Sequence, residues 1–166
     1  MKTTAIYPGT FDPITNGHLD LIKRGLLTFN EVIVAVAPTL KKQPLFTLHE
    51  RLRLIHAAVK GLKGTKVDSF NSLLVDYVKK KKGNAILRGL RAISDFEYEF
   101  QLAHMNRRLN TNIETVFMMP SEEYSYLTSS IVREVAAFGG SVKGLVPEEV
   151  EKALRNKFRN VKYFTE

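Results

Sequence analysis

The feature that most constrains the fold is a regular alternation of apolar, strand-like runs with segments of helical periodicity. The five strand-like runs are 3–7, 31–37, 65–70, 84–88 and 113–119, and a helical pattern follows each one. Strands that alternate with helices predict a mainly parallel sheet that is covered on both faces. Right-handed crossover connections then leave few topologies. We therefore predict an α/β fold, a doubly wound five-stranded parallel sheet with the strand order 3-2-1-4-5.

Local signals mark the ends of several predicted helices. Thr47 with Glu50, and Ser94 with Glu97, have the spacing of capping boxes, in which two side chains satisfy free backbone amides at a helix start. Gly83 follows a helical pattern and is the predicted cap at its carboxyl end.

Length and composition set the class of protein. The chain has 166 residues, which suits one domain over 1–166, with 159–166 as a flexible tail. Cysteine is absent, so disulfide and thiolate chemistry is excluded. The sequence shows neither a signal-peptide pattern nor a run near the roughly 20 apolar residues of a membrane span. We expect a cytoplasmic protein that is not bound to a membrane.

The formal net charge of +8 favours an anionic partner. The partner could be nucleic acid, a membrane surface or a phosphorylated small molecule. The alternative is that the charge has no anionic partner, because many proteins are simply basic. The lysine run at 79–82 could contact nucleic acid. It falls at the carboxyl end of a predicted helix, where lysines suit the helix dipole, so we interpret it as a solvated helix end.

The loop after the first strand is unusually rich in turn residues and ends on a histidine. Gly9 and Gly17 allow positive φ or close approach to a ligand, and His18 lies at a helix start, where free amides favour an anion. A helix cap with a surface histidine is the alternative. In an open parallel sheet, ligands bind beyond the carboxyl ends of the strands where the strand order reverses, which directs attention to this loop.

Other loops on the same predicted edge carry cations and hydroxyls. Lys41 and Lys42 follow the second strand, and Arg88 and Arg91 end the fourth. Lysine and arginine are both common phosphate ligands. Hydroxyl side chains at 128–130 precede a late helix, where they could cap it, bind an anion, or do both. With the predicted strand order, the histidine loop and the arginine loop face one cleft.

Several familiar sites are absent from the sequence. There is neither a Walker phosphate loop nor a G-x-G-x-x-G dinucleotide motif, and the four histidines do not have metal-ligand spacing. No Ser-His-Asp arrangement can be argued from spacing, so the residues offer donors and cations without a nucleophile–base pair.

The motifs resemble a known family. "TNGH" at 15–18 resembles the (H/T)-x-G-H signature of the nucleotidyltransferase superfamily, and "TSSIVRE" at 128–134 resembles its second signature. Together with "FTLHER" at 46–51 and "RGLRAISDFEYE" at 88–99, they resemble the phosphopantetheine adenylyltransferase family of bacterial coenzyme A synthesis. The resemblance covers nearly the whole chain. The sequence departs from the family pattern at His49, which replaces a common Glu, and at Tyr124, which replaces a common Trp.

The resemblance implies a Rossmann-like nucleotidyltransferase fold and the transfer of the adenylyl group of ATP to 4′-phosphopantetheine. The products would be dephospho-coenzyme A and pyrophosphate. The acceptor phosphate would attack the α-phosphorus in line, without a protein nucleophile. Mg²⁺ would accompany ATP, with no metal ligands from the protein. Coenzyme A is a candidate feedback ligand, and nucleic acid is not an expected partner.

The resemblance also implies roles for individual residues. The expected catalytic residues are His18, Thr10, Lys42 and Arg91. Phosphopantetheine would contact Thr10, Lys42, Leu74 and Arg88. ATP would contact Thr10, Phe11, His18, Gly89, Leu90, Arg91, Glu99, Tyr124, Ser125, Tyr126, Leu127, Thr128, Ser129 and Ser130.

Two alternatives to this function stay open. Another small-molecule nucleotidyltransferase, such as one that acts on nicotinamide mononucleotide, would share the superfamily signatures. A basic nucleic-acid-binding module would explain the charge, although no basic recognition helix or aromatic platform is evident.

The helix at 94–109 has two apolar stripes, one with Phe96 and Phe100 and the other with Tyr98, Met105 and Leu109. A helix that is apolar on two faces is typically buried on both. One stripe could face a second subunit, which fits the hexamer that the resemblance implies, or the helix could be enclosed within a single chain.

Overall fold

The computed structural model describes residues 3–38, 43–91 and 93–159, and for residues 93–95 it describes the backbone only. The strands are β1 (Thr4–Gly9), β2 (Glu31–Val36), β3 (Thr65–Ser69), β4 (Ala85–Gly89) and β5 (Glu114–Met118). The helices are α1 (Asn16–Thr28), α2 (Leu48–Ala58), α3 (Leu74–Lys80), α4 (Ile93–Leu109), α5 (Ser129–Ala137) and α6 (Glu148–Phe158), with a short 3₁₀ turn at Glu122–Tyr124.

The strands form one parallel sheet in the order β3-β2-β1-β4-β5. Both the fold class and the strand order predicted from the sequence are confirmed. β1 lies at the centre, paired with β2 on one side and β4 on the other. The chain therefore crosses over between β3 and β4, and the order of strands reverses beside β1. This reversal opens a crevice at the carboxyl ends of β1 and β4.

Apolar residues are buried on both faces of the sheet. The larger cluster packs side chains of α1, α2, α5 and α6 on one face, and the smaller one packs α3 against the other. β2 is buried along its whole length, and five of the six residues of β1 are buried. Near-continuous apolar strands are expected when helices cover both faces of a parallel sheet.

Two helix ends differ from their predictions. The capping box at Thr47 and Glu50 is present. α4, however, begins at Ile93, so Ser94 lies within its first turn and not before it. α3 ends in a left-handed residue, and that residue is Lys82 (φ 54°), not the predicted Gly83. A Cβ on Gly83 would lie 3.0 Å from Val78 and 3.1 Å from Ile6, so this glycine is needed for close packing and not for its φ angle.

α4 is exposed on both of its apolar stripes. Phe96 and Phe100 of one stripe are 49% and 47% exposed, and Tyr98 and Met105 of the other are 62% and 54% exposed. Among the side chains that the structure describes in this helix, only Glu99 is buried. The helix is therefore not enclosed within a single chain. No helix in the described ranges is long and apolar enough to cross a membrane.

Candidate active site

A cavity of about 290 Å³ opens at the carboxyl ends of β1 and β4, where the strand order reverses. The loop from β1 to α1, the end of β4, the buried face of α4 and the start of α5 all contribute to its lining. The residues that line it are Tyr7, Pro8, Gly9, Thr10, Phe11, Thr15, Gly17, His18, Leu21, Arg88, Gly89, Arg91, Glu99, Pro120, Tyr124, Leu127, Thr128, Ser129 and Ser130. The histidine loop and the arginine loop therefore face one cleft, as the strand order predicted.

The loop after β1 is shaped by an aromatic side chain that folds back on it. Phe11 has a positive φ of 47°, unusual for a bulky residue, and its ring is buried. The ring lies edge-on to Tyr7 and to His18, with centroids 5.4 Å and 5.1 Å away. A Cβ on Gly9 would lie 2.9 Å from the Phe11 ring. Of the two reasons given for glycine in this loop, positive φ does not apply to Gly9 or Gly17. Phe11 has the positive φ, and Gly9 makes room for its ring.

His18 is held as a neutral donor. The backbone N–H of Thr15 donates to its Nδ1 at 3.0 Å, and the Thr15 hydroxyl lies 3.0 Å from the same nitrogen. Because Nδ1 accepts, the proton of the neutral ring is on Nε2. The ring is half-buried on the cavity floor. This burial, together with the positive charge of Arg91, lowers the pKa of His18 from 6.5 to about 4. At neutral pH the cavity therefore receives an uncharged N–H donor.

The same contacts form the start of α1. Thr15 is the N-cap: its hydroxyl accepts from the His18 backbone N–H at 3.3 Å, and the His18 ring accepts from the Thr15 backbone N–H. Histidine thus takes the place that Glu or Gln has in the usual capping box. Tight packing at the start of α1 also favours glycine at position 17, since a Cβ there would lie 3.3 Å from Tyr124. The structure therefore combines the two interpretations of His18, because the ring caps the helix and also lines the cavity.

Arg88 is fixed at the end of β4 by an ion pair. Its Nε donates to Glu99 Oε2 at 2.7 Å, its Nη2 donates to Glu99 Oε1, and its Nη1 donates to the Pro8 carbonyl at 3.1 Å. Burial by itself would lower the pKa of Arg88, but the bonds to Glu99 outweigh this and the pKa is raised. A guanidinium has five N–H donors, so two remain for a ligand. Glu99 thus contacts Arg88 directly and also lines the cavity; its contact with ATP, which the motif resemblance implied, stays a prediction.

The start of α5 brings further donors to the cavity. The Thr128 hydroxyl accepts from the Ile131 N–H at 3.0 Å and caps the helix. The Ser129 hydroxyl donates to the Pro13 carbonyl at 2.7 Å, which fixes α5 against the loop after β1. Arg91 Nη1 donates to the Leu127 carbonyl at 3.3 Å, and Arg91 lines the same cavity. Thr128 thus caps α5 and also lines the cavity.

Most predicted site residues meet at this cavity. Those that line it are Thr10, Phe11, His18, Arg88, Gly89, Arg91, Glu99, Tyr124, Leu127, Thr128, Ser129 and Ser130. Leu90, Ser125 and Tyr126 neighbour these residues in the chain but are not part of the lining. Leu74 lies at the start of α3 and packs against the smaller core cluster. Lys42 lies outside the described residues.

Three charged residues near the site were not predicted as site residues. Asp12 and Arg51 are only 4% and 5% exposed, and Arg133 contacts Asp12 from α5. The motifs "GTFDP", "FTLHER" and "SSIVREV" contain them, but spacing alone does not reveal that they meet. The one available signal was that each motif contains a charged residue. Charged residues are rarely buried unless they are paired, so a charge inside a buried motif indicates a partner.

The arrangement suits a reaction at a phosphate. The cavity combines two arginines, a neutral imidazole donor and a helix start, which together stabilise negative charge. Among the described residues of the lining, Glu99 is the single carboxylate, and it is paired with Arg88. Within the described ranges, no group of three His, Asp or Glu side chains could hold a metal ion. Chemistry here would rest on positioning and charge stabilisation.

Comparison with known proteins agrees with this geometry. A family model described as Cytidylyltransferase-like matches residues 6–135. The phosphopantetheine adenylyltransferase of Thermodesulfovibrio yellowstonii is 64% identical over 96% of this chain and 99% of its own length. The phosphopantetheine adenylyltransferase of Syntrophus aciditrophicus is 58% identical over 95% of this chain and 96% of its own length.

A solved structure shares the fold at much lower identity. It comes from a Vibrio parahaemolyticus protein provisionally described as a nicotinate-nucleotide adenylyltransferase, with a TM-score of 0.73 and 17% identity. The match covers 96% of this chain and 97% of that one, and at this identity it shows the fold alone. The family match and the two full-length relatives show more: the chain belongs to the phosphopantetheine adenylyltransferase family within the Cytidylyltransferase-like group.

Proposed function

We propose that this protein transfers the adenylyl group of ATP to 4′-phosphopantetheine and releases pyrophosphate and dephospho-coenzyme A. The observation that carries the proposal is the meeting of His18, Arg88 and Arg91 on one cavity in a chain 64% identical to a phosphopantetheine adenylyltransferase. The cavity supplies donors where the α-phosphate of a transferred adenylyl group would gain charge.

The reaction needs no nucleophile from the protein. An oxygen of the acceptor phosphate bonds to the α-phosphorus of ATP while the bond from that phosphorus to the bridging oxygen breaks, and the electron pair leaves with pyrophosphate. Nε2–H of His18 would donate to the α-phosphate as its charge grows. Arg88 would bind the acceptor phosphate, with Thr10 and Lys42 beside it, and Arg91, Ser129 and Ser130 would bind the β- and γ-phosphates.

Mg²⁺ would enter as part of the substrate MgATP. The only cavity carboxylate among the described residues is already paired with Arg88, so this part of the lining has no set of carboxylate ligands for the ion. Magnesium commonly keeps its waters and binds through substrate phosphates, which is consistent with this lining. Coenzyme A shares the pantetheine arm of the product and would compete for the cavity. We further propose that the protein is cytoplasmic and that it forms a hexamer; the exposed stripes of α4 support self-association.

The test is an acceptor comparison. The purified protein is incubated with MgATP and one acceptor at a time: 4′-phosphopantetheine, nicotinamide mononucleotide or glycerol phosphate. We expect pyrophosphate release with phosphopantetheine far above the other two. Turnover with a different acceptor alone would contradict the proposal and favour another nucleotidyltransferase of the superfamily.

His18→Ala is the companion variant. Removing a donor that matters mainly in the transition state should lower kcat about 10²–10³-fold, while the Kd for ATP changes little. Calorimetric titration with ATP measures the second quantity. A variant that loses ATP affinity and turnover in equal measure would argue against the assigned role of this side chain.

A further inference from the structure

One buried carboxylate joins the loop after β1 to two other segments of the chain. Asp12 lies in the loop after β1 and is 4% exposed. Its Oδ1 accepts from the Phe46 N–H at 2.9 Å, and its Oδ2 accepts from the Leu45 N–H at 2.8 Å. These amides lie a few residues after Lys42. The side chain therefore ties the histidine loop to the chain that follows the predicted lysine loop.

Arg133 of α5 reaches the same point from the other side. Its Nη1 donates to the Asp12 backbone carbonyl and lies 3.4 Å from Asp12 Oδ2. Its Nη2 donates to the Ser130 hydroxyl at 3.3 Å. One guanidinium thus connects the loop after β1 with a hydroxyl that lines the cavity.

Two further bonds hold the same loop. The Ser129 hydroxyl donates to the Pro13 carbonyl at 2.7 Å, and Arg51 Nη1 of α2 donates to the Thr10 carbonyl at 2.9 Å. The loop is therefore anchored to α2 and to α5 through its backbone carbonyls. Bonds of this kind fix the backbone and leave the side chain of Thr10 free to contact a ligand.

Asp12 and Arg133 are themselves outside the cavity lining, although the residues that they hold are part of it. Packed apolar side chains often stabilise a fold as well as a buried ion pair does, so stability alone is a weak reason for this pair. The positioning of the reacting groups is a stronger reason for this ion pair, because a displacement of about 1 Å at a reacting group can cost roughly 10²-fold in rate.

We propose that Asp12 and Arg133 act as one positioning unit for the transfer reaction. The unit sets the distance between the donors of the loop after β1 and those at the start of α5, so that both reach the same triphosphate. The inference rests on the proposed function.

The experiment compares Asp12→Asn, Arg133→Gln and the double variant with the wild type, using saturating MgATP and phosphopantetheine. Asparagine keeps the shape of Asp12 but turns an N–H₂ group toward one of the two backbone amides, and glutamine removes the fork from Arg133. We expect each single variant to lose 10–100-fold in kcat, with the KM of each substrate within threefold of the wild type. Residues that act as one unit are non-additive, so the double variant should match the slower single variant.

Glu31→Gln is the matched control. Glu31 is 7% exposed and pairs with Lys66 at 2.9 Å, but it begins β2 and so lies at the opposite edge of the sheet. We expect a lower Tm and a kcat within twofold of the wild type. Should Asp12→Asn fail to fold, Arg133→Lys serves instead; it keeps the charge and loses the fork, so the same loss of kcat is expected.

Three results would overturn the positioning unit. In the first, Asp12→Asn and Arg133→Gln lower Tm as the control does but keep kcat. In the second, KM rises while kcat is kept. In the third, the double variant shows the product of the two single losses, which means that the residues act separately. A wild type that releases no pyrophosphate with phosphopantetheine would instead remove the proposed function, so the two failures are distinguishable.

Discussion

The protonation of His18 is the most consequential property at the scale of single residues. Burial and Arg91 lower its pKa to about 4, and the Thr15 N–H occupies Nδ1. Near neutral pH the His18 ring therefore stays uncharged, and its Nε2–H remains a donor to the cavity. A charged imidazole would have to give up the Nδ1 contact, because both of its nitrogens would then be donors.

We predict that nuclear magnetic resonance will show the His18 ring titrating near pH 4, well below 6.5. The urea-unfolded chain provides the reference. Because the unfolded state takes up a proton near pH 6.5 and the folded state does so only near pH 4, this residue makes the free energy of unfolding fall as pH is lowered through that window. The slope is at most about 1.4 kcal/mol per pH unit. A folded-state titration at 6.5 would show that the ring is not held in this way.

At the scale of elements, the end of α3 shows how a helix can stop without glycine in the left-handed position. The Lys82 N–H donates to the Lys79 carbonyl at 3.0 Å, and the Gly83 N–H donates to the Val78 carbonyl at 2.9 Å. These are the two bonds of a Schellman motif, with Lys82 where glycine is usual. The helix keeps its cap, and lysine adopts a conformation that side chains with a Cβ disfavour.

Lys82→Gly should therefore stabilise the protein, by about 0.5–1 kcal/mol, because glycine takes positive φ without the steric cost. Lys80→Gly is the control. It lies within α3, where glycine should cost about 1 kcal/mol. Urea unfolding of the three proteins measures both changes. Equal destabilisation by the two substitutions would mean that the backbone at residue 82 is not strained.

At the scale of the whole molecule, the proposed self-association depends on the exposed apolar side chains of α4. Phe96, Tyr98, Phe100, Met105 and Leu109 are each about half exposed or more in the single chain. An extended patch of this kind marks an interface more often than a free surface. Both stripes are open, so the helix can contact more than one neighbour, as a closed ring or cage of subunits requires.

We predict that sedimentation equilibrium will give a mass six times the 18.8 kDa of the chain. Met105→Glu should shift the distribution to smaller species, because a carboxylate buried without a partner opposes association. Leu27→Glu on α1, at a side chain that is 88% exposed, also replaces an apolar residue by one negative charge; it serves as the charge-matched control and should leave the mass unchanged. A monomer at micromolar concentration in the wild type would contradict the hexamer.

Much of the architecture could be predicted because parallel sheets have strong sequence signals. Buried strands such as β2 are apolar at every residue after the first, and the crossover rules leave few ways to arrange five of them. The cavity followed from the strand order, which brings residue 18 and residue 88 to one crevice. The motif resemblance narrowed the chemistry further than composition could.

The features that escaped prediction depend on contacts between distant residues. Positive φ at Phe11 depends on the space beside Gly9, and no local pattern favours it. The pairing of Arg88 with Glu99 and of Asp12 with Arg133 joins residues 11 and 121 positions apart. Periodicity could not tell whether α4 is exposed on both faces or enclosed within the single chain, because both arrangements need the same two apolar stripes.

The central place of β1 has a consequence for biosynthesis. Of the five strands of this sheet, β1 leaves the ribosome before the others, and β2 can pair with one of its edges soon afterwards. Its other edge waits for β4, since Ala5 pairs with Ala85, 80 residues further along the chain. Until then a nascent chain presents an open strand edge, the kind of surface to which other chains attach. Truncation before residue 85 should therefore yield aggregates, whereas synthesis through β4 closes the middle of the sheet.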